Sequence, residues 1–84
     1  MLRSIVAELP GFESVEIREL DYREAEPLFD LPSDKLGKEI IKASIYRNGS
    51  KVFDGPIGLA EATALFTLVD KVLEVNGMGK QKGR

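Results

Sequence analysis

The chain of 84 residues contains no cysteine and no histidine. Without cysteine it has neither a disulfide framework nor thiolate chemistry. Without histidine it lacks the commonest general base and the commonest metal ligand. Acid–base catalysis would have to use paired carboxylates or a lysine in a cleft, and so short a chain builds a poor cleft. We therefore expect a protein that is not an enzyme and that binds no metal and no other cofactor.

The chain also lacks a strong excess of charge of either sign. It carries 14 acidic and 12 basic residues, a net charge of −2, whereas a general nucleic-acid binder shows a basic excess. Lys80, Lys82 and Arg84 lie at the end of the sequence, so we expect a single domain over residues 1–79 and a disordered basic tail over residues 80–84. No export signal or membrane-spanning run is evident, which favours a cytosolic protein without membrane contact.

The first third of the chain predicts one strand. Residues 1–9 show weak helical spacing, which Pro10 and Gly11 interrupt. From Glu13 to Leu20 apolar and charged residues alternate, which is typical of a strand with one solvated face.

Two short helices are predicted next. Asp21 with Glu24 three residues later resembles a capping box, which predicts a helix over Tyr22–Phe29 that Pro27 weakens. Ser33 or Asp34 would cap a second helix, from Asp34 to about Ile45. Carboxylates at helix starts are explained by capping and solvation, so we do not assign them a metal.

The middle of the chain predicts a hairpin. Asn48 and Gly49 are the strongest short hairpin signal, because both central residues of a type I′ turn need a positive φ. Ile45-Tyr46 and Val52-Phe53 would be its arms. Together these segments predict a mainly helical α+β domain, with an N-terminal strand, a short hairpin and about three helices. An all-α bundle, in which the strand segments are extended loops, is the alternative.

The most apolar segment is a predicted helix from Leu59 to Val75, which Asn76 and Gly77 would end in a left-handed cap. Apolar residues occupy most of its circumference, so most of its circumference must be covered. The two other helices are short and offer few large apolar side chains. We therefore expect either that the whole helix packs in the core or that part of it binds a partner. The predicted interaction residues on this helix are Leu65, Phe66, Leu68, Val69, Val72 and Leu73.

The order of these motifs resembles a known family. Pro10-Gly11-Phe12 precedes Val15-Glu16-Ile17-Arg18-Glu19-Leu20, an acidic helix start follows, and Asn48-Gly49-Ser50-Lys51-Val52-Phe53 lies mid-chain. The last apolar helix then ends in Val75-Asn76-Gly77. In this order and spacing, over about residues 10 to 79, the chain resembles the tail assembly chaperones of long-tailed bacteriophages and prophages.

The resemblance implies a non-enzymatic function in the cytoplasm of a bacterial host. Proteins of this family coat the tape measure protein before the tail tube polymerises around it, and they self-associate. The implied partners are the tape measure protein, further copies of the chain and the tail tube protein. Two alternatives remain: a virion structural component, such as a head–tail joining or tail completion subunit, and a small bacterial protein-binding or regulatory module.

Overall fold

The computed structural model describes residues 1–78, which form a four-stranded antiparallel sheet and four α-helices. The mainly helical α+β prediction is therefore confirmed, and the all-α alternative is wrong. In chain order the elements are β1 (Ser4–Leu9), β2 (Phe12–Arg18), α1 (Tyr22–Ala25), α2 (Ser33–Ser44), β3 (Ile45–Arg47), β4 (Ser50–Lys51), α3 (Leu59–Phe66) and α4 (Val69–Val75). Two 3-10 segments, Glu26–Asp30 and Val52–Asp54, follow α1 and β4. The tail predicted at residues 80–84 lies outside the described residues.

The sheet has the order β1-β2-β3-β4 and gains a strand that the sequence pattern did not indicate. Residues 1–9 have helical spacing, but β1 pairs antiparallel with β2 from Ser4 opposite Arg18 to Leu9 opposite Phe12. Pairing with a neighbouring strand, which no local pattern reports, decides the conformation here. The predicted strand at Glu13–Leu20 is confirmed as β2.

The Asn48-Gly49 hairpin forms as predicted, with φ of 55° at Asn48 and 83° at Gly49. Its second arm is displaced, however. Tyr46 pairs with Lys51 and Arg47 with Ser50, and Val52-Phe53, predicted as the second arm, belongs to a 3-10 turn. That turn directs Phe53 toward α3, where its ring centroid lies 5.7 Å from that of Phe66.

The helices cover one face of the sheet. The alternate positions of the strands that point to this face are buried against side chains of α2, α3 and α4. The other face carries Glu16, Arg18 and Tyr46, where the Arg18 Nε donates to Glu16 at 3.0 Å and its guanidinium lies 4.1 Å from the Tyr46 ring centroid. The buried core consists of Ala7, Leu9, Val15, Ile17, Leu20, Ile40, Ile41, Ile45, Leu65, Leu68, Val72 and Val75.

The helix predicted from Leu59 to Val75 is divided into α3 and α4. The N–H groups of Thr67 and Leu68 donate to carbonyls three residues back rather than four, at 3.1 and 3.0 Å. The Thr67 hydroxyl donates to the Ala64 carbonyl at 2.5 Å, a local bond that competes with the regular helical ladder. The prediction of one continuous helix is therefore wrong.

The two earlier helices depart from their predictions at the ends. The segment predicted as one helix over Tyr22–Phe29 is α1 followed by the 3-10 turn that contains Pro27, as expected of a residue that cannot donate to a helical ladder. The helix predicted at Asp34–Ile45 is confirmed as α2, but its cap position is occupied by Pro32 and no side chain caps it. Neither Ser33 nor Asp34 is the N-cap.

Asn76 joins the ends of three elements. Its Oδ1 accepts the N–H of Leu20, just after β2, at 2.8 Å. Its Nδ2 donates to the Ser44 hydroxyl at the end of α2 (3.2 Å) and to the Val72 carbonyl within α4 (2.9 Å). Ser44 is fully buried, so the amide partner replaces the water that this hydroxyl loses on folding.

The predicted cap at Gly77 is confirmed. Gly77 has φ of 74°, its N–H donates to the Glu74 carbonyl at 3.0 Å, and the Met78 N–H donates to the Leu73 carbonyl at 2.7 Å. These two bonds are those of a Schellman motif. They fix the direction of the chain after α4 and place Met78 beside the end of β2.

Replacing Asn76 tests how much its three hydrogen bonds contribute to the free energy of unfolding. Asn76→Ala removes three hydrogen bonds and leaves a buried hydroxyl and a backbone N–H without a partner. We expect it to cost about 2–3 kcal/mol of unfolding free energy, measured by urea denaturation. Ser44→Ala is the matched control, because it removes only one of the bonds, and we expect a loss of about 1 kcal/mol. Equal stabilities of Asn76→Ala and the parent chain would contradict the role of the junction.

Candidate protein-interaction groove

Large apolar side chains remain exposed in two main regions of the described chain. One is the N-terminal segment and β1, where Leu2, Ile5 and Val6 are exposed. The other lies around α1 and the end of α4, where Tyr22 is 68%, Phe29 52% and Met78 38% exposed. Exposed apolar residues that cluster mark interaction surfaces more often than isolated ones.

The second region surrounds a cavity of about 310 Å3, which we call the apolar groove. Leu20 and Ile40, both buried, form its floor, and the exposed Tyr22, Phe29 and Met78 form its rim. Its surface is mostly apolar. The residues that line it are Glu19, Leu20, Tyr22, Ala25, Phe29, Ile40, Asn76 and Met78.

The wall formed by α1 is positioned by a cap and by an ion pair. The Asp21 carboxylate accepts the Arg23 N–H at 2.8 Å, and this bond and that to the Arg23 side chain lower the pKa of Asp21. Glu24 does not complete the predicted capping box, because its carboxylate accepts from the Lys51 ammonium of β4 at 2.5 Å. That bond raises the pKa of Lys51, and it fastens α1 to the far edge of the sheet.

The opposite wall depends on the Asn76 junction. The side chain of Asn76 lines the groove while its three hydrogen bonds hold it to Leu20, Ser44 and Val72. The Schellman motif then sets Met78 at the rim. Both walls are therefore fixed by hydrogen bonds, and a partner would meet a largely preformed concavity.

The predicted interaction residues on the last helix divide into two groups. Leu65 and Val72 are fully buried and Leu68 is 7% exposed, so these three pack in the core and offer no free side-chain surface in this structure. Phe66, Val69 and Leu73 are half-buried, and Phe66 already contacts Phe53. The buried positions, including Val75, recur at spacings of three and four, so one apolar stripe that continues from α3 into α4 faces the core.

The groove residues Tyr22 and Phe29 escaped the sequence prediction. Both lie in the segment predicted as a short helix, and nothing local distinguishes an apolar residue that packs inward from one that remains at a rim. Only their spacing of seven residues, two helical turns, hints at a shared face. The 3-10 turn over Glu26–Asp30 then brings Phe29 to the same groove.

Two other cavities are more polar. One, of about 500 Å3, lies on the solvated face of the sheet between Val6 and Tyr46. The other, of about 380 Å3, is lined by charged groups that include Glu24, Glu39 and Lys51. Within residues 1–78 no three carboxylates converge in a way that suits a metal ion. In the same residues, no helix has the length and apolar character needed to cross a membrane.

Comparison of the chain with known protein families, with curated proteins and with solved structures found no match.

Aspartate substitutions separate core from surface on the last two helices. Leu68→Asp and Val72→Asp place an unpaired carboxylate in the core, and we expect both variants to lose the folded state, because a core this small supplies only about 5 kcal/mol. Leu59→Asp is the matched control, since Leu59 is 82% exposed, and it should retain the parent far-ultraviolet circular dichroism. A folded Val72→Asp variant would show that Val72 is not a core residue.

Proposed function

We propose that this chain is a phage tail assembly chaperone that shields the tape measure protein before tail tube polymerisation. The observation that carries the proposal is the apolar groove, a preformed concavity with exposed aromatic residues at its rim. The order of motifs from Pro10 to Gly77 resembles that of the tail assembly chaperones, and this resemblance implies the tape measure protein as the client. A client of this kind is long and helical with apolar stripes, and a groove that accepts an apolar helix face is the matching recognition mode.

The rim residues suit this task better than the residues of the last helix. Tyr22 and Phe29 present large rigid side chains on opposite ends of a short segment, and the buried Ile40 lines the same groove. Aromatic anchors that enter or flank a pocket carry much of the free energy of protein–protein binding. In contrast, Leu65 and Val72 are committed to the core. We therefore assign client binding to the groove.

The small size of the groove fits transient binding. A cavity of about 310 Å3 accommodates one or two apolar side chains of a client, which gives each copy a modest affinity. Many weak contacts along one client add up to stable coating, yet each contact is released singly. Such an arrangement allows arriving tube subunits to displace the chaperone by competition alone, without a chemical reaction.

Client binding is tested by co-expression with the tape measure protein of the same genome. Phe29→Asp should weaken binding by about tenfold or more, since loss of one aromatic anchor costs about 2 kcal/mol. More than half of the Phe29 side chain is exposed, so the variant should stay folded. Leu59→Asp removes a more exposed apolar residue outside the groove and should bind as the parent does. Binding is measured by co-elution of purified components and by the soluble fraction of the client.

Two outcomes would contradict the proposal. If the purified chain leaves the tape measure protein insoluble and does not co-elute with it, the chaperone assignment fails. If the chain is instead found in purified virions, it is a structural component, because a chaperone departs during assembly. Equal effects of Phe29→Asp and Leu59→Asp would place client binding outside the groove.

A further inference from the structure

The strand β1 forms an open edge of the sheet. Among residues 1–78 it pairs on one side with β2, and no strand lies beyond it. The Arg3 carbonyl accepts the Glu19 N–H at 2.8 Å, which sets the phase of the ladder. Because bonding directions alternate along an antiparallel strand, the N–H and C=O groups of Ser4 and Val6 point to the open side. Continued alternation along β1 through the register shift after Ala7 gives the groups of Glu8 the same direction.

This edge has few of the features that usually protect an edge strand. Natural edges carry proline, lysine or other charges, or a β-bulge, or they are very short. The ladder of β1 with β2 shifts register once, between Ala7 and Leu9. β1 has six residues, with Glu8 its single charged residue and no proline. The side chain of Val6 is 74% and that of Ile5 39% exposed. The opposite edge, β4, has only two residues, and so short a strand is a poor template for pairing.

We propose that β1 pairs antiparallel with β1 of a second copy, about a two-fold axis at Val6, to give a continuous eight-stranded sheet. In this register the outward-pointing groups of Ser4, Val6 and Glu8 meet those of Glu8, Val6 and Ser4 of the second copy. Valine then faces valine, and the Ser4 hydroxyl faces the Glu8 carboxylate.

In this register the strand is complementary to itself from Ser4 to Glu8. Ile5 lies opposite Ala7 on the helix side, and no two like charges lie opposite each other, as favourable cross-strand pairs require. Moving the axis to Ile5 sets Glu8 against Leu2 and Ser4 against Val6, so the serine–glutamate and valine–valine pairs are both lost. Moving it to Ala7 sets Val6 against Glu8. This self-complementarity identifies the occupant of the edge as a second copy of the chain.

The inference does not rest on the proposed client binding. It uses no residue of the apolar groove, so client binding and strand pairing are measured separately. Loss of the groove leaves strand pairing intact, and loss of pairing lowers only the avidity of client binding, so either proposal can fail alone.

Cysteine cross-linking tests both the pairing and its register, because the natural chain has no cysteine. Opposed residues that exchange both hydrogen bonds have Cα atoms about 5.5 Å apart, a separation that a disulfide spans. Under mild oxidation, Val6→Cys should form a disulfide-linked dimer at least about tenfold faster than Leu59→Cys, an equally accessible thiol elsewhere. Slower or equal cross-linking of Val6→Cys would overturn the proposal.

The register is tested by a mixture of two variants. Ser4→Cys and Glu8→Cys should cross-link with each other when mixed, since these positions lie opposite. Ser4→Cys alone should not, because its two copies lie four residues apart along the strand, about 13 Å. Preferential cross-linking of Ser4→Cys with itself would contradict the axis at Val6.

Sedimentation of Val6→Lys gives an independent measurement. Two ammonium groups would face each other at the axis, so the variant should sediment as a monomer at concentrations where the parent chain is dimeric. Its circular dichroism should be unchanged, because Val6 is largely exposed. A parent chain that remains monomeric throughout, or a Val6→Lys variant that associates as the parent does, would refute strand pairing. If Val6→Lys unfolds, the cysteine experiment decides.

Discussion

The arrangement of the helices depends on one side-chain amide. Asn76 connects Leu20 just beyond β2, the last residue of α2 and the final turn of α4, three points that are distant in sequence. Hydrogen bonds among partly buried polar groups are worth more than their number indicates, because each group would otherwise lose its water without compensation. The apolar groove lies directly beside this junction. The geometry of the candidate site therefore follows from the same bonds that close the fold.

A chain of this size cannot cover both faces of a sheet, and it covers one. The apolar positions of the helices pack against that face. The other face is exposed to solvent and carries charged pairs such as Arg18 with Glu16. What remains apolar and exposed lies at the margins of the covered layer, at the β1 edge and at the groove rim. These margins are the places where small domains complete their burial by association.

Local chemistry could be predicted from the sequence, whereas relations between distant segments could not. The turn at Asn48-Gly49 and the cap at Gly77 were predictable, because asparagine and above all glycine adopt a positive φ at low cost. The strand β1 was not, since its partner lies in another segment and its own spacing is helical. The segment predicted as the last helix is rich in apolar residues, as expected. One stripe of these residues packs in the core, so part of the predicted interaction set is not available to a partner. The position of Phe29 at the groove depends on a 3-10 turn, and no local sequence pattern predicts where that turn ends.

The two proposed surfaces are geometrically compatible. Opposed residues in an antiparallel sheet point to the same face, so a dimer joined through β1 would have all its helices on one side of an eight-stranded sheet. Both apolar grooves would then belong to the same helical layer. One client helix, or two neighbouring apolar stripes of it, would meet two equivalent sites, and the second contact would form at high effective concentration. Pairing through β1 would in this way raise the avidity of weak grooves without making any single contact difficult to release.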